Sequence, residues 1–179
     1  DSTDGSQKLL KEMINAKHNV DHIEILNQKS TASAYELGTK YASIIDSGFK
    51  RLKNNGVINN LDFIGILDAD CFPEPLYYER LTEYMINNTK VGISSGLMYH
   101  ADGSRDIASK DWVVGGCRLW KIECFNNSGY FVTPSADTIS ACKAILNGWD
   151  VKPISDLKVI SRKMGAKVNY RYYGYSWYY

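Results

Sequence analysis

Phe63-Ile64-Gly65-Ile66-Leu67-Asp68-Ala69-Asp70 is the stretch that decides the fold. Its first five residues are almost wholly apolar, as expected of a central parallel strand buried on both faces. The run then ends on two carboxylates, Asp68 and Asp70. In open α/β sheets ligands sit outside the carboxyl ends of the strands, and both side chains can reach that rim. Hard divalent cations take oxygen ligands, and Mg²⁺ or Mn²⁺ is commonly held by one or two carboxylates plus substrate phosphates. A metal–diphosphate site is therefore one reading. A solvated turn, with Asp68 capping the helix that follows, is the other.

Working outward, the flanking segments alternate in period. Ser6 is placed to cap a helix from about Gln7 to Ala16, with Leu9, Leu10, Met13 and Ile14 on one face. Residues 21–26 alternate with period two and read as a strand. Residues 33–52 have helical spacing through Ala34, Leu37, Tyr41, Ile44, Ile45 and Phe49, and Asn54-Asn55-Gly56 ends that helix. After the carboxylates, Pro73 and Pro75 open a helix running to about Asn87, and residues 91–98 form another strand. Helix–strand alternation of this kind predicts a layered α/β sheet. Residues 101–110 read as a polar loop, and residues 113–116 as apolar, then flexible. Helices are expected over about 119–126 and 137–146, the second closed by Asn147-Gly148. One or two short strands are expected over 151–160.

The chain has 179 residues, enough to bury a core without metals or disulfides. Its net charge of +1 gives no bulk electrostatic footprint for nucleic acid. Cys71, Cys117, Cys124 and Cys142 show no Cys-x-x-Cys spacing, so a zinc or redox motif is disfavoured and a reducing, cytoplasmic setting is expected. From Leu157 onward there are five basic residues and no acidic one, and residues 170–179 hold six Tyr and one Trp. That composition suits a membrane–water interface, or aromatic packing on the domain. The expected division is a core over residues 1–156 and a basic, aromatic tail over 157–179, with peripheral membrane contact through the tail.

Several motifs then line up in order with a known family. Ser2-Thr3-Asp4-Gly5-Ser6, the small residues Ala32, Ala34 and Gly38, Leu67-Asp68-Ala69-Asp70 with Pro73 after it, Gly115-Gly116, and Asp137-Thr138 with Lys143, Gly148 and Trp149 resemble the catalytic domain of family 2-type, inverting glycosyltransferases. The resemblance implies a GT-A (Rossmann-like) fold with a mostly parallel central sheet flanked by helices. It implies a nucleotide-sugar donor, a glycan or lipid-linked acceptor and a Mg²⁺ or Mn²⁺ ion. Asp70 would ligate the metal, Asp68 would contact the donor or the metal shell, and Asp137 would be the general base. Asp4 and Lys29 would be further donor contacts, while Gly115, Gly116 and Trp112 would line the acceptor side.

The sequence also departs from the family's pattern. Ala136 stands where the family usually has Glu, Ile139 where it often has Asp, and no His lies near Ser161. The Gln/Arg-x-x-Arg-Trp motif of processive synthases is absent from this chain, which argues against a cellulose- or chitin-type synthase. The family's first strand–helix unit precedes its Ser-Thr-Asp-Gly motif, so the chain is expected to lack it. Two rival functions follow from the same residues. One is a non-catalytic binding fragment. The other is a haloacid-dehalogenase-type phosphatase using Asp68 as nucleophile and Asp70 as acid.

Overall fold

A computed structural model describes residues 5–16, 20, 22–27, 37–106 and 110–162. Asp4, Lys29, Ala32 and Ala34 lie outside the described residues, as do residues 163–179 of the expected tail. The elements are α1 (Ser6–Asn15), α2 (Leu37–Asn54), β1 (Phe63–Gly65), β2 (Cys71–Pro73), α3 (Tyr77–Asn87), β3 (Val91–His100), β4 (Leu119–Lys121), α4 (Ile122–Ser128), α5 (Ala136–Leu146) and β5 (Asp150–Ser161). No helix among the described residues is long and apolar enough to cross a membrane.

The strands form one mixed sheet in the order β1-β4-β3-β5-β2. β3 and β5 pair in parallel, whereas β1–β4, β3–β4 and β2–β5 are antiparallel. The expected mostly parallel sheet is therefore corrected: β1, β3 and β5 share one direction, with β4 and β2 opposed to them. The two opposed strands are three residues each and fall where a helix was expected to begin. Residues 71–73 pair with β5 ahead of α3, and residues 119–121 pair with β1 and β3 ahead of α4. A run so short is too brief to show a period of two, so the helical pattern next to it dominates the sequence signal.

β1 is also corrected. It lies at the edge of the described sheet, and burial alternates along it: Ile64 and Ile66 are buried, while Leu67 is about half exposed. Residues 22–27 form no ladder with the other described residues. They are instead tied to α2 by an ion pair from Arg51 to Glu24 at 2.7 Å. α1 forms where expected, with Gly5 rather than Ser6 at its cap, and its apolar face is exposed among the described residues. β5 continues through residue 161, across the expected boundary at 156/157, and its Leu157 and Val159 are fully buried.

Two cores sandwich the sheet. Adjacent residues of β4 point to opposite faces: Trp120 enters a cluster with Phe49 of α2, Phe125 of α4 and Ala141 of α5, while Leu119 enters one with Tyr77, Leu81 and Met85 of α3. The aromatic part of the first cluster packs edge-to-face, with Phe49 centred 4.7 Å from Phe125 and 6.3 Å from Trp120.

Candidate functional site

The directions of β1 and β4 create the site. β1 ends at the rim where the antiparallel β4 begins, with Gly65 opposite Leu119. The turn just before β4, Gly115–Cys117, is thereby laid against the residues just after β1. The Asp68 amide donates to the Gly116 carbonyl at 2.7 Å. A methyl group on Gly116 would sit 2.6 Å from Asp68 Oδ2 and 3.0 Å from Cys71 Sγ. One on Gly115 would run into Asp137 Oδ2. The di-glycine is thus wedged between two carboxylates that lie 69 positions apart in the sequence, and neither glycine has room for a side chain.

Asp137 sits in the first turn of α5, where a negative charge is favoured by the helix dipole. α2 closes the opposite wall. Gly38 lies so close to Pro134 that a Cβ would stand 2.8 Å from its carbonyl oxygen. This approach brings Tyr41, one turn further along α2, over the site. Its hydroxyl donates to Asp68 Oδ1 at 2.6 Å. Gly38, Tyr41, Pro134, Ser135, Ala136, Asp137 and Thr138 line an open cleft of about 400 Å³.

Electrostatically the cleft is dominated by acids. Burial pushes the Asp68 carboxyl above its ordinary range, the Tyr41 hydrogen bond opposes this, and the charges of Asp70 and Asp137 add to it. Burial, with the Asp68 hydrogen bond second, drives the Tyr41 hydroxyl far upward, so it stays a proton donor at any ordinary pH. The buried positive charge facing these groups is Arg118, which burial pulls downward while Asp137 opposes it. Its guanidinium remains charged, because arginine does not deprotonate in proteins.

Asp68, Asp70 and Cys71 each offer one ligand atom, and these atoms lie within 4.8 Å of one another. Two carboxylate oxygens suit a hard cation. The donor set therefore fits Mg²⁺ or Mn²⁺, with the buried Cys71 thiol beside it as a softer neighbour.

The structure brings together Asp68, Asp70, Gly115, Gly116 and Asp137. Trp112 is partly buried and packs against the core cluster that includes Ile66 and Val113. Asp4 and Lys29 fall outside the described residues. Sequence reasoning missed Tyr41, Cys71 and Arg118. Tyr41 was hidden because it falls in phase with the apolar stripe of its helix. Arg118 carries a detectable signal, a lone cation between Gly115-Gly116-Cys117 and the apolar Leu119-Trp120.

No protein-family profile matches the chain. It is distantly similar to curated plant enzymes. It is 27% identical to glucomannan 4-beta-mannosyltransferase 7 of Arabidopsis thaliana over 58% of the chain and 23% of that protein. It is 23% identical to glucomannan 4-beta-mannosyltransferase 9 of the same plant over 99% of the chain and 36% of that protein. To the probable glucomannan 4-beta-mannosyltransferase 9 of Oryza sativa subsp. japonica it is 21% identical, over 97% of the chain and 37% of that protein. The chain thus spans between about a quarter and somewhat over a third of the length of these relatives.

Proposed function

We propose that this chain is part of an inverting glycosyltransferase, which moves a sugar from a nucleotide-sugar donor to an acceptor hydroxyl with a divalent metal. The observation that carries this reading is the di-glycine held between Asp68 on one side and Asp137 on the other. The names of the distant relatives support the reaction class and point to a hexose as the transferred group and a glycan as the acceptor.

The chemistry divides over that geometry. Asp68 and Asp70 would hold Mg²⁺ or Mn²⁺, which when bound neutralises the diphosphate that leaves. Tyr41 donates to Asp68 Oδ1 and fixes how that carboxylate faces the rim. The absence of side chains at Gly115 and Gly116 lets both carboxylates close on the same turn, where the acceptor would meet them. Asp137, in the wall of the cleft, accepts the proton of the acceptor hydroxyl as that oxygen attacks the anomeric carbon. Attack from the side opposite the leaving diphosphate inverts the centre and requires no covalent enzyme intermediate.

The test uses the full-length protein. Asp137→Asn is expected to lower sugar transfer by about 10²- to 10⁴-fold, the usual range for a positioned general base. The same variant should still bind a nucleoside diphosphate in the presence of Mn²⁺, and EDTA should abolish that binding. Absence of metal-dependent binding with both UDP and GDP would leave the non-catalytic reading standing. Hydrolysis of an aryl phosphate that disappears in Asp68→Asn would replace the proposal with a phosphatase.

A further inference from the structure

Arg118 is a fully buried guanidinium. Burying a cation is costly unless its donors are satisfied and its charge is matched. Here each guanidinium nitrogen donates to one of two segments, the one leading into Gly115 or the first turn of α5. Nε donates to the Val114 carbonyl at 3.1 Å and Nη2 to the Val113 carbonyl at 3.3 Å. Nη1 donates to the main-chain carbonyl of Asp137 at 3.0 Å. The planar fork of arginine can serve several acceptors from one rigid group. One side chain therefore fixes the loop leading into Gly115 against the first turn of α5. The guanidinium also lies 5.4 Å from the centre of the Trp120 ring, itself fully buried.

The charge of Arg118 acts on Asp137 as well. Nη2 stands 3.7 Å from Asp137 Oδ1. That oxygen is buried and has no hydrogen-bond partner among the described residues. Oδ2 is the oxygen that meets Gly115. The carboxylate is thus turned with one oxygen toward the cation and the other toward the di-glycine turn.

We propose that Arg118 is the positioning residue of the site, aiming Asp137 Oδ2 at the acceptor hydroxyl and locking the acceptor turn to the helix that carries the base. The proposal rests on the assignment of Asp137 as general base. Arg118 touches no reacting atom. It acts through Asp137, so its removal should affect turnover rather than donor binding.

The test is a double-mutant cycle on the full-length protein, with kcat and donor KM measured for wild type, Arg118→Lys, Arg118→Met, Asp137→Asn and the Arg118→Lys/Asp137→Asn double variant. Lysine keeps the charge but loses the fork. Arg118→Lys is expected to lower kcat by about 10- to 100-fold, the scale of a misplacement near 1 Å, with donor KM within about twofold of wild type. Arg118→Met should lose more. In the Asp137→Asn background, Arg118→Lys should cause little further loss, because residues acting as a unit are non-additive. The proposal is overturned if Arg118→Lys turns over like wild type, if the two losses simply multiply, or if neither Arg118 variant folds, which would assign the side chain to the core. Full transfer by Asp137→Asn would instead overturn the base assignment itself.

Discussion

Replacing Gly116 by alanine places a methyl group 2.6 Å from Asp68 Oδ2 and 3.0 Å from Cys71 Sγ, where ordinary contact begins near 3.4 Å. The Asp68 carboxylate must retreat by about 0.8 Å, or the turn must move by that much. Neither yields easily. The carboxylate is held by Tyr41 through Oδ1, and the turn is held by the Asp68 amide through the Gly116 carbonyl. Gly116 does not have a positive φ, so alanine brings no backbone strain and the effect is steric. Overpacking of this kind costs about 1–3 kcal/mol. For a chain of this size each kcal/mol lowers Tm by ~2–4 °C, so the expected fall is about 2–12 °C by thermal melting. Disturbing the orientation of a metal-site carboxylate costs about 10- to 100-fold in affinity. Calorimetric titration of a nucleoside diphosphate with Mn²⁺ should show a loss on that scale. Gly48→Ala is the control. It lies inside α2 with open space around its Cβ position, so alanine should raise stability by about 0.5–1 kcal/mol through helix propensity. A Gly116→Ala protein that melts and binds like wild type would refute the placement of Asp68 against the turn.

Tyr41→Phe removes a hydrogen bond that lowers the pKa of Asp68, while burial and the charge of Asp70 continue to raise it. An acid whose folded pKa is raised binds its proton more tightly folded than unfolded, so stability falls as pH climbs from its unfolded value to its folded one. In the metal-free protein this variant should extend that fall to higher pH, as read by urea melts between about pH 4 and 7; an unchanged profile would show that Tyr41 does not set the charge of Asp68. The cysteines offer a test of the cores. Burial pushes the Cys124 thiol up to about 11, and Cys71 and Cys117 are also buried, whereas Cys142 is exposed. Brief alkylation of the native protein at pH 8 should label Cys142 alone by peptide mass spectrometry, with the other three reacting only after unfolding. Early labelling of Cys71 would mean that the carboxylate rim opens readily.

Part of the candidate site was legible in one dimension because its acids and glycines fall in short local motifs. Asp68-Ala69-Asp70 after an apolar run stands out by itself, whereas Gly115-Gly116 and a helix-opening acid at Asp137 have ordinary structural uses and are picked out only by their order and spacing in the family resemblance. The helices were legible for a similar reason. Repeated apolar spacing over ten or more residues survives local noise, as in α2 and α5. The sheet was less legible, because β2 and β4 are too short to carry a period.

The alternating α/β character of the chain and its motif acids and glycines can be read off the residues alone. How those residues meet follows from the packing of elements distant in the chain. The reversal of β4 relative to β1 carries Gly116 to Asp68, and the close approach of α2 at Gly38 carries Tyr41 onto the same carboxylate. Arg118 acquires its place only when the loop before β4 and the first turn of α5 are packed together. A buried cation takes its meaning from the carbonyls and the carboxylate around it, and those partners lie as far as 19 positions away along the chain.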